Sequence, residues 1–138
     1  ASYTHEIQQI ASALRHRFGV EAVALYYGET PQDQRQDIVE SFQDKDSPLR
    51  FFVGQPKTGG YGITLTEATT VIYFSNSYDL EIRLQSEDRA HRIGQHHPVT
   101  YIDLVSPKTI DEKILKALRS KINLAEKVLG EDARQWLT

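Results

Sequence analysis

The sequence contains no cysteine and no methionine among its 138 residues, and it has a single tryptophan. Without cysteine, disulfide bonds and thiolate catalysis are excluded, which agrees with an intracellular protein. The chain begins at Ala1 rather than at a methionine. We therefore expect it to be a fragment of a longer polypeptide.

The charge balance also lacks a basic excess. Sixteen Lys and Arg residues stand against nineteen Asp and Glu, for a net charge of −3. Any binding to a polyanion must therefore come from local groups and not from overall attraction. No apolar run approaches the about 20 residues that a membrane-spanning helix needs, and no secretory signal opens the chain. We expect one globular domain with no membrane partner.

Helical and strand patterns alternate along the chain and predict an α/β fold. Apolar residues at helical spacing run from Ile7 to Phe18, and Gly19 ends that helix. A second helix is predicted to start with Thr30 as N-cap and Pro31 as its first residue, and Asp79 is predicted to cap a third. The predicted strands are residues 22–26, 51–54, 71–74 and 99–105. This alternation implies a mostly parallel sheet with helices on both faces.

The segment Q-S-E-D-R-A-H-R-I-G-Q at residues 85–95 is the first candidate site. Gln85, Arg89 and Arg92 have the spacing i, i+4, i+7, so a helix would place them on one face. Two guanidinium groups on one face offer several donors to phosphate oxygens. Taken alone, an arginine pair at this spacing is more often part of a solvated or ion-paired helix surface.

A glycine-rich segment at residues 57–62 is the second candidate site. It follows the strand predicted at 51–54, and its three glycines let the backbone approach a phosphate closely. The glycine count alone would also fit an ordinary turn, and the chain contains no Walker A sequence. At ~1.5 Å per residue, Arg92 would lie about 20 Å along its helix from Asp79, which predicts that arginines and glycines serve two separate ligands.

The pattern Q-x-x-x-R-x-x-R-x-G-Q strongly resembles the last motif of superfamily 2 helicases, and D-R-A-H-R-I-G-Q is most similar to SWI/SNF-type DNA translocases. The stretch F-V-G-Q-P-K-T-G-G-Y-G-I-T-L-T resembles a second motif of that family. Gly28, Thr30, Arg35 and Phe42 resemble its G-x-T-x-x-x-x-R-x-x-x-x-x-x-F segment. The three motifs stand in family order. The resemblance implies a three-layer RecA-like domain with a mostly parallel sheet.

By the same resemblance, residues 1–138 form a single helicase C-terminal domain, the second RecA-like lobe. It would lack its first strand and end in a helix and tail from about residue 125. The expected catalytic residues are the arginine fingers Arg89 and Arg92. The expected nucleotide-binding residues are Gly62, Gln85, Arg89, Arg92 and Gln95. The expected nucleic-acid-binding residues are Gly28, Thr30, Arg35, Lys57, Thr58, Gly59 and Gly60.

The resemblance further implies ATP with Mg²⁺, held mainly by an N-terminal RecA-like lobe of the same polypeptide, so the isolated lobe is expected to be inactive. DNA is the expected partner, with duplex DNA favoured over RNA. A non-catalytic nucleic-acid-binding or regulatory lobe, or the lobe of an RNA helicase, remain alternatives. The spacing of His91, His96 and His97 suits no metal site.

Two departures from the family pattern indicate which branch of the family the chain resembles. Residues 75–80 replace the usual Asp followed by Trp-Asn-Pro, and Thr64 stands where Asn is usual. They favour a bacterial or phage protein, and hence the cytoplasm over a nucleus.

Overall fold

The computed structural model describes residues 1–58, 63–77, 79–91 and 97–129. Helices and strands alternate along this part of the chain, as predicted, except that the strands at residues 51–54 and 70–73 follow each other with no helix between them among the described residues. The elements are α1 (Thr4–Phe18), a short 3-10 helix (Val20–Ala22), β1 (Val23–Tyr26), α2 (Gln32–Gln43), β2 (Phe51–Gly54), β3 (Thr70–Tyr73), α3 (Leu80–Asp88), β4 (Thr100–Asp103) and α4 (Ile110–Leu129).

Helix α1 covers one face of the parallel pair β1–β2. Its buried residues Ile7 and Ala11 pack against Val23 of β1 and Val53 of β2. The helix ends at Gly19, whose φ of 97° lies in the region that favours glycine. The end of α1 predicted from the sequence is therefore confirmed.

Helix α2 covers the opposite face of the same pair. Residues next to each other on a strand point to opposite faces, and Phe52, the neighbour of Val53, belongs to a second core with Tyr26 and Phe42. The Tyr26 and Phe52 ring centroids are 5.0 Å apart, and those of Phe42 and Phe52 are 5.7 Å apart. Helix, sheet and helix thus form three layers around β1–β2.

Helix α3 packs on the second parallel pair, β3–β4. The Tyr73 hydroxyl lies 2.7 Å from Ser86 Oγ, and the Tyr101 hydroxyl donates to the Glu87 carbonyl at 2.9 Å. The Asp79 side chain accepts a hydrogen bond from the Ile82 N–H at 3.1 Å. The predicted N-cap of this helix is therefore confirmed.

The described strands form two separate two-stranded parallel sheets, whereas the sequence predicted one sheet. The first residues of the chain lie between the carboxyl ends of β2 and β3. The Ala1 amine donates to the Gly54 carbonyl at 3.1 Å, and the Ser2 N–H donates to Ser75 Oγ at 2.8 Å. These contacts join the two sheets at one end, while among the described residues no strand pairing connects β2 with β3.

Helix α4 is the longest helix of the described chain and has one buried side. Leu118 is buried, whereas Ile110 near its start and Leu124 near its end are exposed. None of the helices in the described ranges has the length and apolar content that crossing a bilayer requires.

Candidate functional site

Two loops leave the carboxyl ends of β1 and β2 side by side. Tyr26 lies opposite Gly54 in the parallel register, so residues 27–30 and residues 55–58 begin at neighbouring points of the sheet edge. Ligands of open α/β sheets bind outside the carboxyl ends of the strands. The loops 27–30 and 55–58 contain four of the predicted nucleic-acid-binding residues: Gly28, Thr30, Lys57 and Thr58. The structure therefore brings together two segments that are distant in sequence.

The buried side chain of Thr30 bonds to the backbone of the first loop and of β1. Its hydroxyl accepts a hydrogen bond from the Tyr27 N–H at 3.1 Å and donates to the Leu25 carbonyl at 2.9 Å. Helix α2 begins at Gln32, with Pro31 as its N-cap and no side-chain cap bond. The predicted N-cap role of Thr30, with Pro31 as the first helical residue, is therefore wrong, because the hydroxyl already bonds to the backbone at the end of β1.

Arg35 holds the backbone of the first loop. Its Nε donates to the Thr30 carbonyl at 3.1 Å, and its Nη2 lies 3.4 Å from the Tyr27 carbonyl and 3.5 Å from that of Gly28. The guanidinium carbon also lies 5.7 Å from the centroid of the Tyr26 ring. Arg35 is therefore not a freely solvated surface charge; it binds the carbonyl oxygens of the loop.

Thr58 has a similar structural role in the second loop. It is 8% exposed, its N–H donates to the Gln55 carbonyl at 3.2 Å, and its hydroxyl donates to Gln55 Oε1 at 3.1 Å. The neighbouring Lys57 is exposed. Thr58 is thus engaged within the loop, and the predicted phosphate contact of Lys57 is compatible with its exposure.

Arg89 holds the backbone of the second loop, as Arg35 holds that of the first. Its Nη2 donates to the carbonyls of Pro56 at 2.7 Å and Thr58 at 2.9 Å, and its Nη1 lies 3.5 Å from the Gln55 carbonyl. The residue is 6% exposed. A guanidinium has five donors in a planar fork, which suits it to bind several carbonyl oxygens at once.

The position of Arg89 bears on two expectations. Arg89 follows helix α3 directly and keeps helical backbone angles, with φ −60° and ψ −37°, while Gln85 Nε2 donates to Glu81 Oε1 at 3.1 Å. The placement of Gln85, Arg89 and Arg92 on one face stays a prediction, because Arg92 lies outside the described residues. The arginines and the glycine-rich segment were also predicted to lie apart, yet Arg89 contacts the start of that segment. The catalytic role of Arg89 stays a prediction.

Five of the predicted site residues lie outside the described residues: Gly59, Gly60, Gly62, Arg92 and Gln95. Their assignments stay predictions.

The sequence did not single out Gln55, which bonds to both loops. Its Oε1 accepts hydrogen bonds from the Gly28 N–H at 3.3 Å and from the Thr58 hydroxyl at 3.1 Å, and its Nε2 donates to the Ser2 carbonyl at 3.4 Å. A polar residue directly after a buried strand was the available signal, because such positions lie at the ligand-binding edge of parallel sheets.

A second feature missing from the sequence prediction is the buried polar cluster around Arg83. Its Nε donates to Glu87 at 3.0 Å, and its Nη1 and Nη2 donate to the two Asp103 oxygens at 2.6 and 3.0 Å. The guanidinium lies over the Tyr73 ring, 3.6 Å from its centroid, and Nη1 also donates to Asn76 at 2.7 Å. This cluster fixes α3 to β3 and β4.

The cluster shifts the pKa of three of its groups. Burial alone would raise the pKa of Asp103, but hydrogen bonds from Arg83 and Asn76 outweigh it and hold that pKa below its ordinary value. Burial would lower the pKa of Arg83, yet hydrogen bonds to Asp103 and Glu87 raise it above its ordinary value. Burial raises the pKa of Tyr73. Arg83 and Asp103 are therefore charged at neutral pH, and Tyr73 is neutral.

A cavity of about 330 Å³ opens beside the second loop, between the carboxyl ends of β2 and β3. Its lining includes Gln55, Lys57, Asn76 and Arg83. In the described ranges, no three His, Cys, Asp or Glu side chains are grouped so that they could hold a metal ion. Lys57 supplies a cation to this lining and Asp79 a carboxylate, while the donors of Arg83 are engaged by Glu87, Asp103 and Asn76.

Comparisons with known proteins agree with the motifs. The family model for the helicase conserved C-terminal domain matches residues 1–94. A human SWI/SNF-related matrix-associated actin-dependent regulator of chromatin, subfamily A member 1, is 34% identical over 104 residues, which are 75% of this chain and 10% of that protein. The probable ATP-dependent DNA helicase CHR23 of Arabidopsis thaliana is 38% identical over 102 residues, which are 74% of this chain and 10% of that protein.

A solved structure gives the same result for the fold. The crystal structure of the C-terminal part of the Fun30 ATPase domain matches with a TM-score of 0.74 and 29% identity, covering 84% of this chain and 36% of that chain. The α/β, RecA-like fold class predicted from the sequence is thereby confirmed. The chain spans about a tenth of the length of the two curated relatives.

Proposed function

The chain belongs to the helicase conserved C-terminal domain family, as a SWI/SNF-like lobe of superfamily 2, and we propose that it is the second motor lobe of an ATP-dependent DNA translocase or helicase. The first RecA-like lobe of the same polypeptide would hold ATP and Mg²⁺. This lobe would close onto it, supply arginine side chains and grip the nucleic-acid backbone.

The pairing of loops 27–30 and 55–58 at one sheet edge is the observation that carries the proposal. In each loop one buried or half-buried arginine binds carbonyl oxygens: Arg35 in the first, Arg89 in the second. A carbonyl oxygen that points to a guanidinium does not point to an approaching phosphate, which it would repel. This arrangement supports the proposed binding of a polyanion although the chain carries a net charge of −3.

Such a grip would not read base sequence. Contacts to the phosphate backbone position a protein on a duplex but carry no direct sequence information. The exposed Lys57 supplies a cation beside the second loop, and the predicted contacts of Gly59 and Gly60 would extend the loop along the strand. We therefore propose tracking that is independent of sequence, on double-stranded DNA in preference to RNA.

The arginine pair would act on the nucleotide. Phosphoryl transfer needs cations that stabilise the charge of the transition state, and arginine fingers contribute roughly 10³–10⁵ in rate. We assign this role to Arg92 and Arg89, with Gln85, Gln95 and Gly62 near the nucleotide. Arg89 contacts loop carbonyls in this structure, so its contact with a phosphate requires an exchange of those bonds when the lobes close.

The experiment is a comparison of arginine variants in a protein that contains both lobes. Arg89→Ala and Arg92→Ala should each lower DNA-stimulated ATP hydrolysis by at least about 10³-fold, because the transition-state charge loses a cation. Arg50→Ala is the control, since Arg50 is an exposed arginine outside the site. Thermal melting checks that each variant folds.

Near-normal turnover in both site variants would contradict the arginine assignment. Parallel assays with duplex DNA and with RNA test which nucleic acid the protein acts on. Stronger stimulation of ATP hydrolysis by RNA would make the chain the lobe of an RNA helicase. Binding of DNA without any ATP hydrolysis by the two-lobe protein would make it a non-catalytic nucleic-acid-binding lobe.

A further inference from the structure

The two loops are joined to each other by the side chain of Gln55. We infer that Gln55 is a positioning residue of the nucleic-acid grip: it acts through Gly28 and Thr58 and does not touch the nucleic acid. The inference rests on the proposed function and names a residue for which the sequence motifs gave no role.

The hydrogen bonds of Gln55 give it a different role from those of Arg35 and Arg89. Arg35 bonds to carbonyls of the first loop and Arg89 to carbonyls of the second, so each arginine shapes one loop. Gln55 Oε1 accepts from the Gly28 N–H of the first loop and from the Thr58 hydroxyl of the second. One oxygen atom therefore fixes the spacing of the two loops.

The surrounding bonds hold that oxygen in place. The Gln55 N–H donates to the Tyr26 carbonyl at 3.2 Å, which continues the hydrogen bonding of β1 with β2 beyond the last paired residues. Gln55 Nε2 donates to the Ser2 carbonyl at 3.4 Å, and Gly54 leaves no space for a larger residue, since an added Cβ would lie 2.7 Å from the Tyr26 carbonyl. The amide group is thus held from both ends.

A fixed spacing matters because the nucleic-acid backbone must meet both loops at once. Loops that are ordered before binding lose less conformational freedom when the ligand arrives, and preorganisation of this kind strengthens binding. Removing the Oε1 acceptor would leave the Gly28 N–H and the Thr58 hydroxyl to reorganise. The two loops could then bind phosphates only after a separate ordering step.

Lys57 provides a matched comparison on the same loop. It is two residues from Gln55 and is exposed, and the proposed function gives its ammonium group direct contact with a phosphate. A residue that contacts phosphate changes the salt dependence of binding, whereas a residue that only orders the loops changes affinity at every salt concentration alike. Salt dependence therefore separates the two roles.

The test measures duplex-DNA binding by fluorescence anisotropy across a salt series, with a protein that contains both lobes. Gln55→Met removes the acceptor at similar side-chain volume and should weaken binding about tenfold at every salt concentration, as expected for the loss of hydrogen bonds to two donors. The slope of log K against log salt should not change. Lys57→Met should reduce the magnitude of that slope by about 0.9.

Two further readouts exclude a general structural effect. With Gln55→Met the DNA concentration for half-maximal ATPase should rise about tenfold, while kcat at saturating DNA stays within about twofold of the unsubstituted protein. Gln55→Glu keeps an acceptor oxygen but adds a negative charge, and salt screens that charge. At high salt it should bind DNA more tightly than Gln55→Met.

Unchanged DNA affinity in Gln55→Met overturns the inference, as does a change in slope equal to that of Lys57→Met, or a loss confined to kcat. If the unsubstituted two-lobe protein neither binds duplex DNA nor hydrolyses ATP in response to it, the proposed function itself fails. Binding with the expected Lys57→Met effect, but none for Gln55→Met, overturns the Gln55 role alone.

Discussion

Three arginine side chains in this lobe bind groups of the protein itself, either backbone carbonyls or buried carboxylates. Arg35 and Arg89 bind the carbonyls of the two loops, and Arg83 binds the carboxylates of Glu87 and Asp103. A bidentate guanidinium–carboxylate pair fixes orientation as well as charge. Helix α3, which the Arg83 cluster fixes to β3 and β4, leads directly into Arg89.

The Arg83–Asp103 pair gives a prediction for stability. Asp103→Asn removes one of the two carboxylates that compensate a guanidinium whose side chain is 9% exposed, and taking a partner from a buried charge is costly. We expect the free energy of unfolding at pH 7 to fall by about 2–3 kcal/mol, measured by urea denaturation. Asp37→Asn on α2, an exposed control, should change it by less than about 0.5 kcal/mol. Equal effects of the two substitutions would contradict the cluster's role.

The lowered pKa of Asp103 gives a prediction for pH. Its folded-state pKa lies below the ordinary value of 3.8, so the folded protein binds this proton less readily than the unfolded chain does. The stability that Asp103 contributes is therefore present above about pH 4 and is lost as the pH falls through the folded pKa. Between pH 6 and pH 3 the urea midpoint of Asp103→Asn should fall less than that of the unsubstituted chain; an equal fall would contradict the assignment.

Helix α4 is largely exposed, and its buried residue Leu118 attaches it to the rest of the lobe. Leu118 is 2% exposed and Leu124, on the same helix, is 62% exposed. Leu118→Ala should lower the free energy of unfolding by about 2–5 kcal/mol, because it leaves a cavity as well as removing apolar contact. Leu124→Ala is the matched control, with a change of less than about 0.5 kcal/mol in urea denaturation. A small effect at Leu118 would mean that α4 does not dock on the rest of the lobe.

The elements themselves could be predicted where a local signal decides them. Strand β2 has the predicted bounds, and Gly19 and Asp79 end and begin their helices as the sequence indicated. The hydrogen-bond partners of Thr30 could not be predicted. Its hydroxyl could in principle bond either to N–H groups at the start of helix α2 or to the backbone at the end of β1, and in the structure it bonds to the latter. That choice depends on how the strand and the loop pack, which the local sequence does not contain.

The site could be predicted in part for a related reason. The motifs identified Arg35, Thr58 and Arg89, but a guanidinium contacts carbonyl oxygens or phosphates with the same donors. Which of them it meets depends on loops that come together only in the folded chain. Gln55 escaped prediction because its two partners, Gly28 and Thr58, lie 27 residues before it and three after it.

At the scale of the whole molecule, the proposed function divides one reaction between two lobes. Phosphoryl transfer needs a phosphate cradle, Mg²⁺ ligands and a positioned water as well as cations. The sequence contains no Walker A loop, and the described residues contain no group of side chains placed to hold a metal ion. Under the proposed function, the two loops and the arginine-bearing segment of this lobe act on nucleotide that another lobe holds.

The purified 138-residue chain should therefore show no ATP hydrolysis above the buffer blank, with or without duplex DNA. A protein that adds the ATP-holding lobe should hydrolyse ATP in response to DNA, and phosphate release measured for both proteins under the same conditions gives the comparison. Circular dichroism of the isolated chain is the control that separates inactivity from unfolding. Sustained turnover by the pure, folded chain would contradict the two-lobe proposal, because a single lobe would then supply the phosphate cradle and the metal ligands that it is proposed to lack.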